Sequence, residues 1–134
     1  DTTFGNDGDE GGGSKLNLDI HGDDNKVAGI QRNGSANAWS AHTATIYIYA
    51  NENEVWVNQN TDGAKTFSLT SRNDDNNVSV EQTGNAAHTG TVTLTGSSAT
   101  TLNLTQQGTI AQTYSLTQNC ITMGGCSVSV TQGQ

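Results

Sequence analysis

The sequence predicts an all-β fold: a β-solenoid of five strand-turn-strand rungs whose strands form two facing parallel sheets. Three observations predict it. First, a glutamine falls six residues after a polar anchor five times, with two apolar residues at alternate positions between them. The segments are NKVAGIQ (25–31), NEVWVNQ (53–59), NNVSVEQ (76–82), TTLNLTQ (100–106) and CSVSVTQ (126–132). Their glutamines are 28, 23, 24 and 26 residues apart, a period that belongs to a stacked array. Second, each segment alternates apolar and polar residues, the pattern of a half-buried strand. Third, only 31% of the 134 residues are hydrophobic, Pro is absent and there are 16 Gly. Such a chain has no thick oily core. Its regular alternation argues against disorder and for a thin core shared by aliphatic and hydrogen-bonded polar side chains.

The elements follow in order. Residues 1–13 (DTTFGNDGDEGGG) are acidic and Gly-rich and are expected to be a flexible leader or targeting segment. Residues 14–134 hold five repeats, about 14–38, 39–64, 65–87, 88–111 and 112–134. The first strand of each repeat is expected at Leu16–Ile20, Ile46–Ile48, Phe67–Leu69, Val92–Leu94 and Tyr114–Gln118. The second strands are the five quoted segments. HGDDN, ANEN, RNDDN, GSSAT and the Cys120–Cys126 loop form one set of bends, and RNGSAN, NTDGA, TGNAA and QGTIA form the other. Gly, Asn and Asp suit such bends because they accept positive φ or bond their own backbone.

Parity places the conspicuous amides inside. Asn25, Val27, Gly29 and Gln31 share one strand face, as do Asn53, Val55, Val57 and Gln59, and Asn76, Val78, Val80 and Gln82. Thr100, Leu102, Leu104 and Gln106 follow, then Cys126, Val128, Val130 and Gln132. An inward amide is costly unless it is bonded. Rungs stacked ~4.8 Å apart set each amide over its equal, so ladders satisfy them. The expected ladder residues are Asn25, Gln31, Asn53, Gln59, Asn76, Gln82, Gln106, Gln118 and Gln132. Tyr47, Tyr49 and Trp56 point outward and are expected to cluster on adjacent strands of one rung.

Charge and cysteine usage narrow the partners. The net charge is −8, which disfavours nucleic acid and anionic membrane. Every charged side chain lies at or before Glu81. The uncharged half from Gln82 onward would be a self-association hazard in a monomer. No segment approaches the ~18 apolar residues that span a bilayer, so no membrane insertion is expected. The chain begins at Asp1 without an apolar h-region and reads as a processed product. Cys120 and Cys126, separated by a loop with a Gly-Gly pair, are expected to form a disulfide clip in a secreted chain; a redox pair is the alternative. Two thiols with no nearby His make no zinc site. Asp23-Asp24-Asn25 and Asp74-Asp75-Asn76 read as solvated turn acids that slow premature aggregation, or as calcium ligands that would need further donors. His21, His42 and His88 lack a catalytic partner at a telling spacing and are expected at the surface. No catalytic constellation, metal or cofactor is expected, and the chain is not expected to be an enzyme.

SKLNLDIHGDDNKVAGIQRNGSAN closely resembles a curlin repeat, written S-x5-Q-x-G-x2-N-x5-Q. Ser14, Gly22, Asn25 and Gln31 match, and Ile20 stands where the family usually has Gln. Asn76 and Gln82 match in the third repeat. Gln82-Thr83-Gly84 and Gln106-Gln107-Gly108 supply the Q-x-G step. In the fifth repeat Gln118 and Gln132 match, while Cys120 and Cys126 replace the Gly and Asn. The resemblance covers residues 14–134. It implies a curli-like subunit, major or minor, secreted to the bacterial cell surface. Such a subunit stacks end to end into an extracellular amyloid fibre of the biofilm matrix and supports adhesion. It also implies a nucleator and an outer-membrane secretion machinery as partners, beside copies of the chain itself.

The residues alone lead to the same mechanism. The first rung (16–31) and the last (114–132) each offer unpaired strand edges, and docking last onto first continues the ladder without closing. The alternative is a monomeric solenoid that binds ice or glycan through Thr-rich steps at Thr93/Thr95, Thr101/Thr105 and Ser115/Thr117. A monomer needs terminal caps, and the repeat pattern runs to within two residues of the last residue.

Overall fold

The computed structural model describes residues 2–7, 13–32 and 41–133, and it is all-β. A first strand, β1 (Thr2–Asp7), precedes five two-strand rungs. Their first strands are β2 (Lys15–Ile20), β4 (Thr43–Ile48), β6 (Lys65–Ser71), β8 (His88–Gly96) and β10 (Gln112–Cys120). Their second strands are β3 (Lys26–Arg32), β5 (Glu54–Asn60), β7 (Asn77–Gln82), β9 (Thr100–Gln107) and β11 (Cys126–Gly133). The bend after Arg32 and the boundary between the first and second repeats lie outside the described residues.

Two parallel sheets result. Sheet A runs β1-β3-β5-β7-β9-β11, and sheet B runs β2-β4-β6-β8-β10. Each rung contributes one strand to each sheet, so strands adjacent in the chain face each other and strands one repeat apart pair. The register is that of the repeat: Gln31 lies opposite Gln59, Gln59 opposite Gln82, Gln82 opposite Gln106, and Gln106 opposite Gln132.

The core is the thin space between the sheets. Val55, Val57, Val78, Val80, Leu102 and Leu104 from sheet A meet Ile46, Ile48, Phe67, Leu69, Val92 and Leu94 from sheet B. Each fully buried aliphatic of this kind stabilises by about 1.5–3 kcal/mol. The first-strand elements are longer than the apolar triplets suggest, because Thr and Ser on either side keep the alternation going.

The bends are as tight as the rung spacing demands. Asp24 (φ 56°), Glu52 (φ 57°) and Asp75 (φ 61°) occupy the left-handed region at equivalent corners. Gly96 adopts φ 121°, and a Cβ there would lie 2.1 Å from the Cys120 carbonyl oxygen. Only glycine lets the chain of one rung pass so close to the next.

One element departs from expectation. Residues 1–13 were expected to be flexible, but Thr2–Asp7 forms a strand of sheet A paired in parallel with β3. TTFGND carries a single large apolar residue, Phe4, so the alternation that marks the other strands is missing from it. The first-rung edge of sheet A is therefore β1, not the expected 25–31 strand.

Candidate functional site

The glutamine column is one continuous ladder. Gln31 donates from Nε2 to Gln59 Oε1 (2.8 Å), Gln59 to Gln82 (2.9 Å), Gln82 to Gln106 (2.8 Å) and Gln106 to Gln132 (2.9 Å). The second N–H of each amide goes to a carbonyl of the facing sheet. Lys15, Thr43, Thr66, Thr89 and Thr113 accept at 3.1, 3.0, 3.0, 3.1 and 3.3 Å. That facing carbonyl fixes which amide atom is nitrogen, so every rung repeats the same orientation. The ladder is polar: all its donors point from the first rung toward the last.

The asparagine column is shorter and runs the other way. Asn53 and Asn76 donate from Nδ2 and from the backbone to Asn25 Oδ1 and Asn53 Oδ1 at 2.9–3.1 Å. Asn76 Oδ1 then accepts from the Thr100 backbone N–H at 2.7 Å, where the amides stop. Asn25, Gln31, Asn53, Gln59, Asn76, Gln82 and Gln106 are all buried. Gln132, on the outer strand, is partly exposed.

Gln118 is the exception. It faces inward, but its column is Ile20, Ile48, Ser71, Leu94 and Gln118. An apolar or hydroxyl side chain below it offers no amide, so Gln118 is no ladder member. Cys120 and Cys126 are disulfide-bonded with Cα atoms 5.8 Å apart. The bridge closes the bend between β10 and β11 on the last rung.

The outer rungs differ from the interior. Tyr114, Leu116, Val128 and Val130 on the last rung, and Leu16, Leu18 and Ile20 on β2, are only partly buried, although they pack on the core cluster. Their equivalents on inner rungs are fully covered. Each end therefore leaves apolar area in water that a further rung would cover.

A second polar column was not anticipated. His42, Lys65 and His88 occupy the residue before each strand's first Thr and stack in register with Ser14 and Gln112. All three are fully buried, which overturns the expected surface placement of His42 and His88. Their positions share the inward parity of the aliphatics; only His21 is at the surface, 2.9 Å from Asp19. Lys65 Nζ shares its three N–H groups among the carbonyls of Asp62 (2.5 Å), Gly63 (2.7 Å), Gly84 (2.7 Å) and Ala86 (2.9 Å). It thus ties the bend after β5 to the bend after β7. Burial pulls its pKa down to about 8, with Asp62 opposing. The Lys65 backbone N–H donates to His42 Nδ1 at 3.1 Å, so the His42 proton sits on Nε2 toward Arg32 O. Burial, with Lys65 adding to it, lowers the pKa of both His42 and His88. The signal was present in the sequence as the pairs His42-Thr43, Lys65-Thr66, His88-Thr89 and Gln112-Thr113.

The acidic bends stack as Asp24, Glu52 and Asp75 beside an open cleft. The Asp75 charge and a side-chain hydrogen bond to Asp75 raise the Glu52 pKa. Among the described residues no group of three or more His, Cys, Asp or Glu is placed to hold a metal.

The expected aromatic cluster divides between two faces. Tyr47 and Tyr49 stack at 6.5 Å outside sheet B, with His21 stacked on Tyr49 at 5.3 Å. Trp56 lies outside sheet A, because adjacent strands of one rung turn their outer sides in opposite directions. The Thr steps divide likewise. Thr101 and Thr105 are on sheet A; Thr93, Thr95, Ser115 and Thr117 are on sheet B. There they continue through Thr89, Thr91, Thr66, Ser68, Thr70, Thr43 and Thr45. No family model, curated protein or solved structure matches the chain.

Proposed function

We propose that the chain is a secreted, non-enzymatic structural subunit that adds head to tail into a curli-like extracellular amyloid fibre. The observation that carries this reading is the polarity of the glutamine ladder between two incompletely covered ends. Gln132 spends one N–H on Thr113 O, and its second points along the axis away from the ladder. The ladder's other end is Gln31, whose counterpart in every later rung accepts such a bond on Oε1. With the β3 edge open, setting the last rung of one copy on the first rung of another continues both sheets and the ladder. Such a contact is heterologous and open, so it yields a filament. The acidic bends of the first three rungs oppose lateral collapse of single subunits. Purified protein is expected to grow fibrils with reflections near ~4.8 Å and ~10 Å. A monodisperse monomer that persists at high concentration refutes the reading.

A second reading has one observation in its favour. The outer side of sheet B carries Thr or Ser at successive outward positions on β4, β6, β8 and β10. A monomer could set this flat hydroxyl array on ice or a glycan. Ice-growth inhibition or glycan binding by the persisting monomer, abolished by Thr91→Lys, would support it.

A further inference from the structure

Sheet A begins one strand before sheet B. β1 pairs with β3 so that Thr2 lies opposite Val27, Phe4 opposite Gly29 and Asn6 opposite Gln31. At the far end β11 pairs with β9 so that Val128 lies opposite Leu102, Val130 opposite Leu104 and Gln132 opposite Gln106. Val27, Gly29 and Gln31 are the first-rung counterparts of Leu102, Leu104 and Gln106 through the continuous register of sheet A. β1 therefore sits on β3 where β11 of a docking copy would sit. Thr2, Phe4 and Asn6 take the register positions of Val128, Val130 and Gln132. An amide residue again falls at the ladder position.

Burial supports the same point. Val27 and Gln31 on β3 are each 1% exposed, like residues of an inner rung. Leu16, Leu18 and Ile20 on β2, the other strand of that rung, are only partly buried. The first-rung end is thus stepped, with one sheet extended and the other bare. The last-rung end is level, because β10 and β11 are both outer strands. A level end cannot meet a stepped one on both sheets.

We propose that β1 is an intramolecular plug that competes with β11 of a second copy for the β3 edge and leaves before that copy docks. This rests on the head-to-tail reading above. β1 is suited to leave. It spans 6 residues against 8 in β11, and Gly5 in its middle weakens any strand. Residues 8–13 (GDEGGG) join it to the rungs through a Gly-rich stretch.

The test is seeded elongation by the full chain and two full-length variants. Gly5→Pro removes a ladder N–H and fixes φ inside β1; Phe4→Asp changes the residue opposite Gly29. Neither touches a strand that forms the docked junction. If the open form is a minor state of ~10% or less, opening it fully raises elongation at least about tenfold. A peptide of residues 1–7 in excess should slow the variants back toward the parent rate. Parent-like elongation by both variants, or no effect of the peptide, overturns the plug while leaving fibre growth intact. No growth by any chain overturns the head-to-tail reading and the plug together.

Discussion

At the scale of single residues, Lys65 and the ladder glutamines do different work with the same chemistry. Four carbonyls converge on the Lys65 ammonium from two bends. Lys65→Met keeps the stem and removes the donor, so the carbonyls of Asp62, Gly63, Gly84 and Ala86 each lose an ammonium N–H, while Gly84 O keeps the Thr61 hydroxyl. A buried acceptor left unmet costs about 1–3 kcal/mol. Chemical denaturation should show a loss of about 3 kcal/mol, with little change in the secondary-structure spectrum; a loss under ~0.5 kcal/mol would mean that the bends hold without the ammonium. Gln82 has neighbours above and below. Gln82→Leu leaves the Gln59 N–H and the Gln106 Oε1 unmatched. The same denaturation assay should find a loss of about 2–4 kcal/mol. Stability equal to the parent would show that the inner ladder contributes nothing net.

At the scale of elements, the sequence made the strands legible and the columns only partly so. The alternation Val78, Val80, Gln82 gives a strand, its inward side and its rung partners at once, because period and repeat agree. Gln118 shows the limit. Its parity is readable, but its column depends on registering Leu94 and Ser71 beneath it, which the repeat spacing leaves ambiguous in the first strands. His42, Lys65 and His88 were harder still, since burying a titratable residue contradicts composition rules unless the bends that clasp it are known. β1 was lost because Phe4 is its single large apolar residue. The hidden column makes stability pH-dependent. Burial lowers the pKa of both histidines from the ordinary value of about 6.5 when the chain folds. Below 6.5 the unfolded chain therefore binds protons that the folded chain does not, and stability falls until the lowered folded values are reached. Each histidine contributes a slope of at most about 1.4 kcal/mol per pH unit. Protonation would also place His42 and His88 as cations beside Lys65, with Asp62 as the opposing charge near His42. A His42→Gln, His88→Gln double variant should lose less thermal stability between pH 7 and pH 5.5 than the parent. Parallel losses would assign the acid sensitivity to other groups.

At the scale of the whole molecule, the ladder's direction distinguishes the two ends. A first-rung end presented to another first-rung end sets acceptor against acceptor, and a last-rung pair sets donor against donor. Only the mixed junction repeats what already occurs between Gln82 and Gln106. Fibres built this way have a direction, and their ends are chemically different. In the proposed fibre, the outward N–H of Gln132 would serve the junction alone, since within the chain Gln132 is an outer, partly exposed position. Gln132→Leu keeps a side chain of similar reach and removes that donor. The monomer should change in stability by less than Gln82→Leu does, because Gln106 alone loses an acceptor. Elongation should fall about tenfold for about 1.4 kcal/mol lost at the junction. Ser127 lies on the same strand but faces outward, away from the core and the axis of the ladder. Ser127→Ala should elongate at the parent rate. If seeded growth curves show equal slowing by the two substitutions, the inward amide is not what joins one subunit to the next. The strand edges and the exposed apolar residues of the last rung would then have to carry docking alone.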